Sequence, residues 1–379
     1  EVAEQVLERG DAELISMARP MLADAEFVNK AAAGKADEIN TWIGCNQACL
    51  DHIFNGQLTS CLVNPRACHE TLIKITAAES TQNVAVIGAG PGGLAAAVTA
   101  AERGHKVTLF DAAEEIGGQF NIAKQIPGKE EFHETLRYFS VQIVKHNITL
   151  KLGQEVTTDA LNKSDFDQVI IATGITPRIP DIAGIDHPSV VNYVDVIKNK
   201  LPVGERVAVI GAGGIGFDTS EYLLHDGGEQ AKSIAEFMQE WGVDMSLKAR
   251  GGIEGVTPKF APPSRTLYLL QRKASKIGAS LGKTTGWIHR IDLAKNGVKM
   301  LSSCDYNKID DQGLHLTIAG ESQILAVDNI VICAGQESNN ALVTGLDKPY
   351  QIIGGALKAT ELDAKRAIKQ GMEAAIAIN

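Results

Sequence analysis

The sequence has no uninterrupted apolar run long enough to cross a membrane, and no basic N-terminal stretch leading into an apolar one. Neither a membrane span nor a signal peptide is therefore visible, which points to a cytoplasmic setting. Basic residues are in deficit: 36 Lys and Arg stand against 46 Asp and Glu, a formal net charge of −10. That balance argues against nucleic acid or an anionic membrane as partner. Proline is scarce, with 12 residues against 37 glycines in 379. Cysteine is scarce too, with six residues, four of them at positions 45, 49, 61 and 68. So uneven a spread is no secreted disulfide framework and suggests reduced thiols gathered for a metal.

What is present is a Gly-rich α/β pattern long enough for two or three domains. The stretch NVAVIGAGPGGLAAAVTAAERGHKVTLFDA, 83–112, reads as strand, glycine turn, Ala-rich helix and second strand, a βαβ unit of about 30 residues. A second copy opens at RVAVIGAGGIGFDTSEYLL, 206–224. Two further apolar strands end in glycine, QVIIATG (168–174) and NIVICAG (329–335). An excursion over 226–264 holds one expected helix, IAEFMQEWG. The expected fold is two nested Rossmann-like units. The first covers 80–202 plus 329–379 and the second 203–328, after an iron–sulfur segment and linker at 41–79.

Gly88, Gly90 and Gly93 match G-x-G-x-x-G between a strand and a helix. The first glycine allows the tight turn, the second lets a pyrophosphate approach the backbone, and the third lets helix and strand pack closely. Asp111 ends the second strand, 18 residues after Gly93, where an acid binds a ribose diol. The alternative is a glycine turn that serves packing alone. Gly211, Gly213 and Gly216 repeat the fingerprint, but the following strand ends in Gln271-Arg272-Lys273 with no acid. Arg272 and Lys273 would attract a 2′-phosphate, which favours NADP over NAD; a solvated basic strand end is the competing reading. Two fingerprints imply a flavin beside a nicotinamide cofactor, with Gln119 of GGQF as a polar contact on the flavin side.

GCNQACLDHIFNGQLTSCLVNPRACHE, LFDAAEEIGGQFNIAKQIPGKEEF, VIGAGGIGFDTS and LQRKASKIGASLGKTTGWIHR together resemble the bacterial NADPH-dependent 2,4-dienoyl-CoA reductases. These are iron–sulfur flavoenzymes of the old-yellow-enzyme-like group. The resemblance covers essentially the whole chain. It implies a longer enzyme in which an N-terminal FMN-bearing TIM barrel, missing here, reduces an acyl-CoA in unsaturated fatty acid β-oxidation. Electrons would run from NADPH through FAD and a 4Fe–4S cluster to FMN. Residues 1–40 would be the end of the barrel, with Ala18 and Arg19 at the FMN phosphate. FAD contacts carry over to Gly88, Gly90, Gly93, Asp111, Gln119, Lys129, the Val156 backbone and Gly355. Leu357 stands where the family has an acid, and Trp287 is placed near the nicotinamide or the acyl-CoA. No catalytic acid is assigned; His52, His133, His289 and His315 show no partner pattern.

The family's cluster motif places three ligands on Cys45, Cys49 and Cys61 and the fourth on Trp42, which cannot bind iron. Cys68 falls outside the set. The cluster could form with a surrogate ligand such as water, Cys68 or His69, or form with three irons, or not form. Trp42 could also be an altered residue. Structural zinc on these cysteines, in a non-enzymatic nucleotide-sensing module, is a further alternative, as is a related reductase acting on another enoate or amine.

Overall fold

The structure is a computed structural model and describes residues 2–225, 233–260 and 262–379. Part of the excursion expected over 226–264, residues 226–232 and 261, lies outside the described residues.

Two five-stranded parallel sheets organise the chain. The first runs, edge to edge, Tyr350–Ile352, Gln168–Ile171, Asn83–Ile87, Lys106–Phe110 and Thr149–Lys151. The second runs Val190–Asn192, Asn329–Ile332, Arg206–Ile210, Thr266–Leu270 and Lys299–Leu301. In each, the fingerprint strand lies at the centre and is buried almost throughout. Strands covered on both faces need continuous apolar side chains, and NVAVI and RVAVI supply them. The chain leaves the first sheet after Ile171 and re-enters it at Tyr350.

One boundary differs from the sequence reading. Val190–Asn192 and Asn329–Ile332 were assigned to the first unit, but Ile330 pairs with Val190 and Ile332 with Ile210 in the second sheet. An apolar strand of four residues carries no mark of its partner; the pairing is set by tertiary contact. The result is a closer repeat than the fingerprints alone suggest, since QVII and NIVI occupy equivalent places beside their own fingerprint strands. Two short antiparallel strands, Ile175–Pro177 and Gln336–Ser338, join the units just beyond those strands.

The first fingerprint helix, Pro91–Glu102, is buried along most of its length and packs against the C-terminal helix Ala364–Ile376. The two backbones approach so closely that a Cβ on Gly371 would stand 2.1 Å from the Gly92 carbonyl oxygen. Small residues, GLAAAVTAA on one side and Gly371, Ala374 and Ala375 on the other, make that approach possible. The expected excursion helix is present as Ile234–Trp241. A reciprocal Ser233–Glu236 capping box starts it and left-handed Gly242 ends it. No helix among the described residues is long and apolar enough to cross a membrane.

Candidate functional site

Both fingerprints solve the same steric problem in the same way. Gly88 has φ +109°, and a Cβ there would lie 2.3 Å from the Ala172 carbonyl oxygen. Gly211 has φ +115°, and its Cβ would lie 2.3 Å from the Cys333 carbonyl oxygen. The third glycines are tighter still: a Cβ on Gly93 would sit 1.8 Å from the Gly88 oxygen, and one on Gly216 1.7 Å from the Gly211 oxygen. The middle glycines are different. Gly90 would meet nothing nearer than Gly118 Cα at 4.0 Å, and Gly213 nothing within 4 Å. Their missing side chains leave open space above helix N-terminal amides, which is what a phosphate requires. The residues thus fit a dinucleotide at each turn.

A cleft of about 1480 Å³ runs along the first fingerprint and reaches the start of the second. It is lined by Gly88, Gly90, Asp111, Gln119, Lys129, Val156 and Gly355, all named from sequence. Gly93 lies beneath it, packed in the core side of the helix. Asp111 accepts hydrogen bonds from the Ala89 amide (2.6 Å) and the Ala113 amide (2.8 Å), so the acid braces the fingerprint turn from the neighbouring strand. The GGQF loop closes over that turn: the Gly117 amide donates to the Ala89 oxygen at 2.8 Å, and Gln119 follows at the cleft wall. Leu357 is half exposed and outside the lining.

The second unit contributes Gly214, Ile215, Phe217 and Asp218 to the same cleft. Lys129, carried over as a flavin contact, forms a salt bridge to Asp218 of 2.5 Å. It therefore ties the loop that follows GGQF to the second fingerprint helix, Gly214–Leu224. One turn on, the buried Glu221 accepts from His289 Nδ1 at 2.6 Å, and His289 also lines the cleft. The hydrogen bond to Glu221 raises the His289 pKa above its ordinary 6.5; burial and Lys129 oppose the shift, and Asp218 supports it. A raised histidine contributes stability that is fully present below the unfolded value and is lost as pH rises through the folded one. Glu221→Gln should therefore lower the melting temperature most near pH 6, by an equivalent of about 2 kcal/mol. The gap from wild type should narrow at alkaline pH; a gap that is constant across the range refutes the charge assignment.

The cysteine segment docks on the second unit through a contact that sequence reasoning missed. Asp51, buried on the short helix Leu50–Phe54, accepts from the Thr284 amide (3.0 Å) and the Thr284 hydroxyl (2.8 Å). Lys283 donates to the Phe54 oxygen at 3.0 Å, and Gly282 leaves room for the Asp51 carboxylate. The KTTGW stretch is thus a clasp between segments. Trp287 donates to the Thr284 oxygen, is half exposed, and lies outside the cleft lining. Arg272 and Lys273 follow Thr266–Leu270 as exposed residues, also outside the lining, and neither forms a salt bridge among the described residues.

The thiols do not match a four-ligand cluster. Cys45 and Cys61 pack against the core beside Trp42. Burial pushes the Cys45 thiol up to about 11, with Cys61 and Cys49 near enough to add to the rise, and burial also raises Cys61. Trp42 occupies the fourth position, and the Arg19 guanidinium lies 4.5 Å from the centre of its ring while donating to Asn46 at 2.8 Å. Arg19, expected at a flavin phosphate, is thereby engaged within the chain; Ala18 precedes it as the N-cap of Arg19–Ala23 without a side-chain cap. Cys68 is exposed, and the His69 ring turns to the Ala67 oxygen. Among the described residues no group of three or more His, Cys, Asp or Glu is arranged to hold a metal ion. Of the other histidines named from sequence, His52 lies against the Leu58 oxygen and Lys365 Nζ, and His315 against Asp310.

Three similarities place this geometry. The chain is 32% identical over 368 residues to the metal reductase of Desulforamulus reducens, covering 94% of this chain and 53% of that protein. It is 27% identical over 367 residues to the cinnamate reductase of Clostridium sporogenes, covering 96% of this chain and 49% of that protein. The solved complex of 2-naphthoyl-CoA reductase with 2-naphthoyl-CoA superposes with a TM-score of 0.86 at 28% identity, over 100% of this chain and 52% of that one. The chain spans about half the length of the curated relatives it matches. Residues 82–355 match the pyridine nucleotide-disulphide oxidoreductase family, and the chain belongs to it: a flavin-dependent, NAD(P)-binding oxidoreductase.

Proposed function

We propose that this chain is the reductase half of an NADPH-dependent 2,4-dienoyl-CoA reductase, taking reducing equivalents from NADPH onto FAD. The observation that carries the reading is one cleft shared by the first fingerprint turn and the start of the second fingerprint helix, and bridged by Lys129–Asp218. FAD, when bound, supplies acceptance of a hydride and release of single electrons. The chain's own residues hold and orient. The amides behind Gly90 face a pyrophosphate and Asp111 a ribose diol. The Lys129–Asp218 bridge holds the first fingerprint turn and the second fingerprint helix to one cleft, and Phe120, Ile122 and Phe217 exclude water from it. Arg272 and Lys273, exposed and without salt bridges among the described residues, are the proposed partners of the NADP 2′-phosphate. The cysteine segment has Trp42 where the cluster motif needs a fourth thiolate, so no electron step is assigned to it.

The acyl-CoA substrate and an FMN barrel belong to the proposed longer protein. The likeness to 2-naphthoyl-CoA reductase supports a conjugated acyl-CoA; the likeness to cinnamate reductase is what a free enoate would predict. The test is direct. The purified chain loaded with FAD should reduce an artificial acceptor with NADPH, prefer NADPH to NADH, and leave 2,4-dienoyl-CoA untouched. Arg272→Glu with Lys273→Glu should cut kcat/KM for NADPH at least tenfold and spare NADH, since a carboxylate repels the 2′-phosphate. Failure of the chain to take up flavin sinks the reading.

A further inference from the structure

Where the C-terminal helix meets the cysteine segment, the cleft wall carries a pair that neither fingerprint explains. Lys365 is the second residue of Ala364–Ile376, and its Nζ lies 3.1 Å from His52 Nε2. His52 Nδ1 lies 2.9 Å from the Leu58 carbonyl oxygen. A carbonyl at Nδ1 fixes the ring hydrogen there and leaves Nε2 as an acceptor. Lys365 therefore gives one N–H to His52 and keeps two donors. Asp363 Oδ2 is 3.9 Å away, beyond hydrogen-bond reach, and Asp363 Oδ1 caps the Arg366 amide at 2.7 Å.

The charge balance of the cleft gives this lysine weight. Six carboxylates and three lysines line it, with no arginine. Lys129 is neutralised by Asp218 at 2.5 Å. Lys283 turns away to the Phe54 carbonyl. Lys365 is left: it is neither bridged to a carboxylate within hydrogen-bond distance, as Lys129 is, nor turned to a backbone carbonyl, as Lys283 is. Leu362 and Ala367, which flank it in sequence, pack against Gly355 and Gly354, and all of these line the cleft; the ring of a dinucleotide flavin is placed at this part of the wall. An oxidised flavin ring is neutral; its two-electron-reduced form is an anion near neutral pH. A fixed cation in a partly enclosed cleft favours the anion.

Resting on the reading that FAD occupies this cleft, we propose that Lys365 is the charge that stabilises the reduced flavin, held at the ring by His52 from the cysteine segment. Its removal leaves a reduced ring facing walls that carry an excess of carboxylates.

The experiment uses the FAD-loaded chain with Lys365→Met, Lys365→Gln and Lys365→Arg. Two quantities are read without turnover: the midpoint potential of the bound flavin, and the affinity for sulfite, which adds to the oxidised ring to give an anionic adduct. Met and Gln should weaken sulfite binding about tenfold and lower the midpoint by ~30 mV, the two-electron equivalent of tenfold. Arg should stay close to wild type. Met or Gln variants that hold FAD with both quantities unchanged overturn the proposal alone. Folded Met and Gln variants that both lose FAD also overturn it, because Lys365 would then serve retention. A wild-type chain that takes up no FAD defeats the functional reading instead.

Discussion

Alanine at Gly93 is expected to abolish flavin binding and destabilise the first unit by about 3 kcal/mol or more, the cost of forcing atoms into a filled site. The reason is geometric: the new Cβ would stand 1.8 Å from the Gly88 oxygen, and backbone has no rotamer by which to escape. Helix Pro91–Glu102 would have to move off the sheet, and its packing on Ala364–Ile376 would open. Gly216→Ala poses the same clash, 1.7 Å from the Gly211 oxygen, in the other unit. That variant should stay yellow and lose NADPH-dependent acceptor reduction. The middle glycines make the control. At Gly90 and Gly213 an added Cβ meets no protein atom closer than 4.0 Å, so alanine there should leave the melting temperature within about 1 kcal/mol of wild type. The methyl would instead occupy the space of a phosphate, weakening FAD at Gly90 and NADPH at Gly213 by at least tenfold. Titration calorimetry and thermal melts on the four variants separate the two classes. If Gly90→Ala unfolds the chain as Gly93→Ala does, the division between packing glycine and ligand glycine is wrong.

That division also explains which parts were legible in the sequence. The fingerprints constrain a few consecutive residues whose backbone must turn, so their spacing was sufficient to place Gly88, Gly90, Gly93 and their second copies. Asp111 was legible for the same reason, since strand length fixes its distance from the turn. Contacts between distant segments leave no such spacing. Asp51 reaches Thr284 across 233 residues, and nothing in LDHIF marks its aspartate as a docking group. Lys129, expected from the resemblance as a flavin contact, lines the cleft, but its partner Asp218 lies 89 residues away. His289 and Glu221 stand on separate helices, and neither local sequence names the other. The misplaced strands, Val190–Asn192 and Asn329–Ile332, are a failure of another kind: short parallel strands are apolar on both faces, so hydropathy shows that they are buried without showing in which sheet.

The largest chemical change is expected at Trp42. Burial raises the Cys45 pKa, and Cys61 and Cys49 lie close enough to add to the rise, yet no metal-holding group forms among the described residues. Burial raises the Cys45 and Cys61 thiols, and protonated thiols are poor ligands until a metal displaces their protons. The fourth position is filled by an indole braced from outside by the Arg19 guanidinium at 4.5 Å. Trp42→Cys removes that stack, whose loss costs about 1 kcal/mol at a half-buried site, and supplies the missing thiolate. Anaerobic reconstitution with iron and sulfide should leave the wild-type chain without acid-labile sulfide. The variant should take up about four irons per chain, as a four-thiolate cubane does, with broad visible absorbance beside the flavin bands. Trp42→Phe separates the effects, because it loses most of the stack without gaining a ligand and should stay free of iron. Equal iron uptake by wild type and Trp42→Cys would show that a surrogate ligand completes the site, and that Trp42 is no barrier. Iron uptake by neither would show that the fold around Cys45, Cys49 and Cys61, held to the second unit by Asp51 and Thr284, excludes the cluster for a reason beyond the fourth side chain.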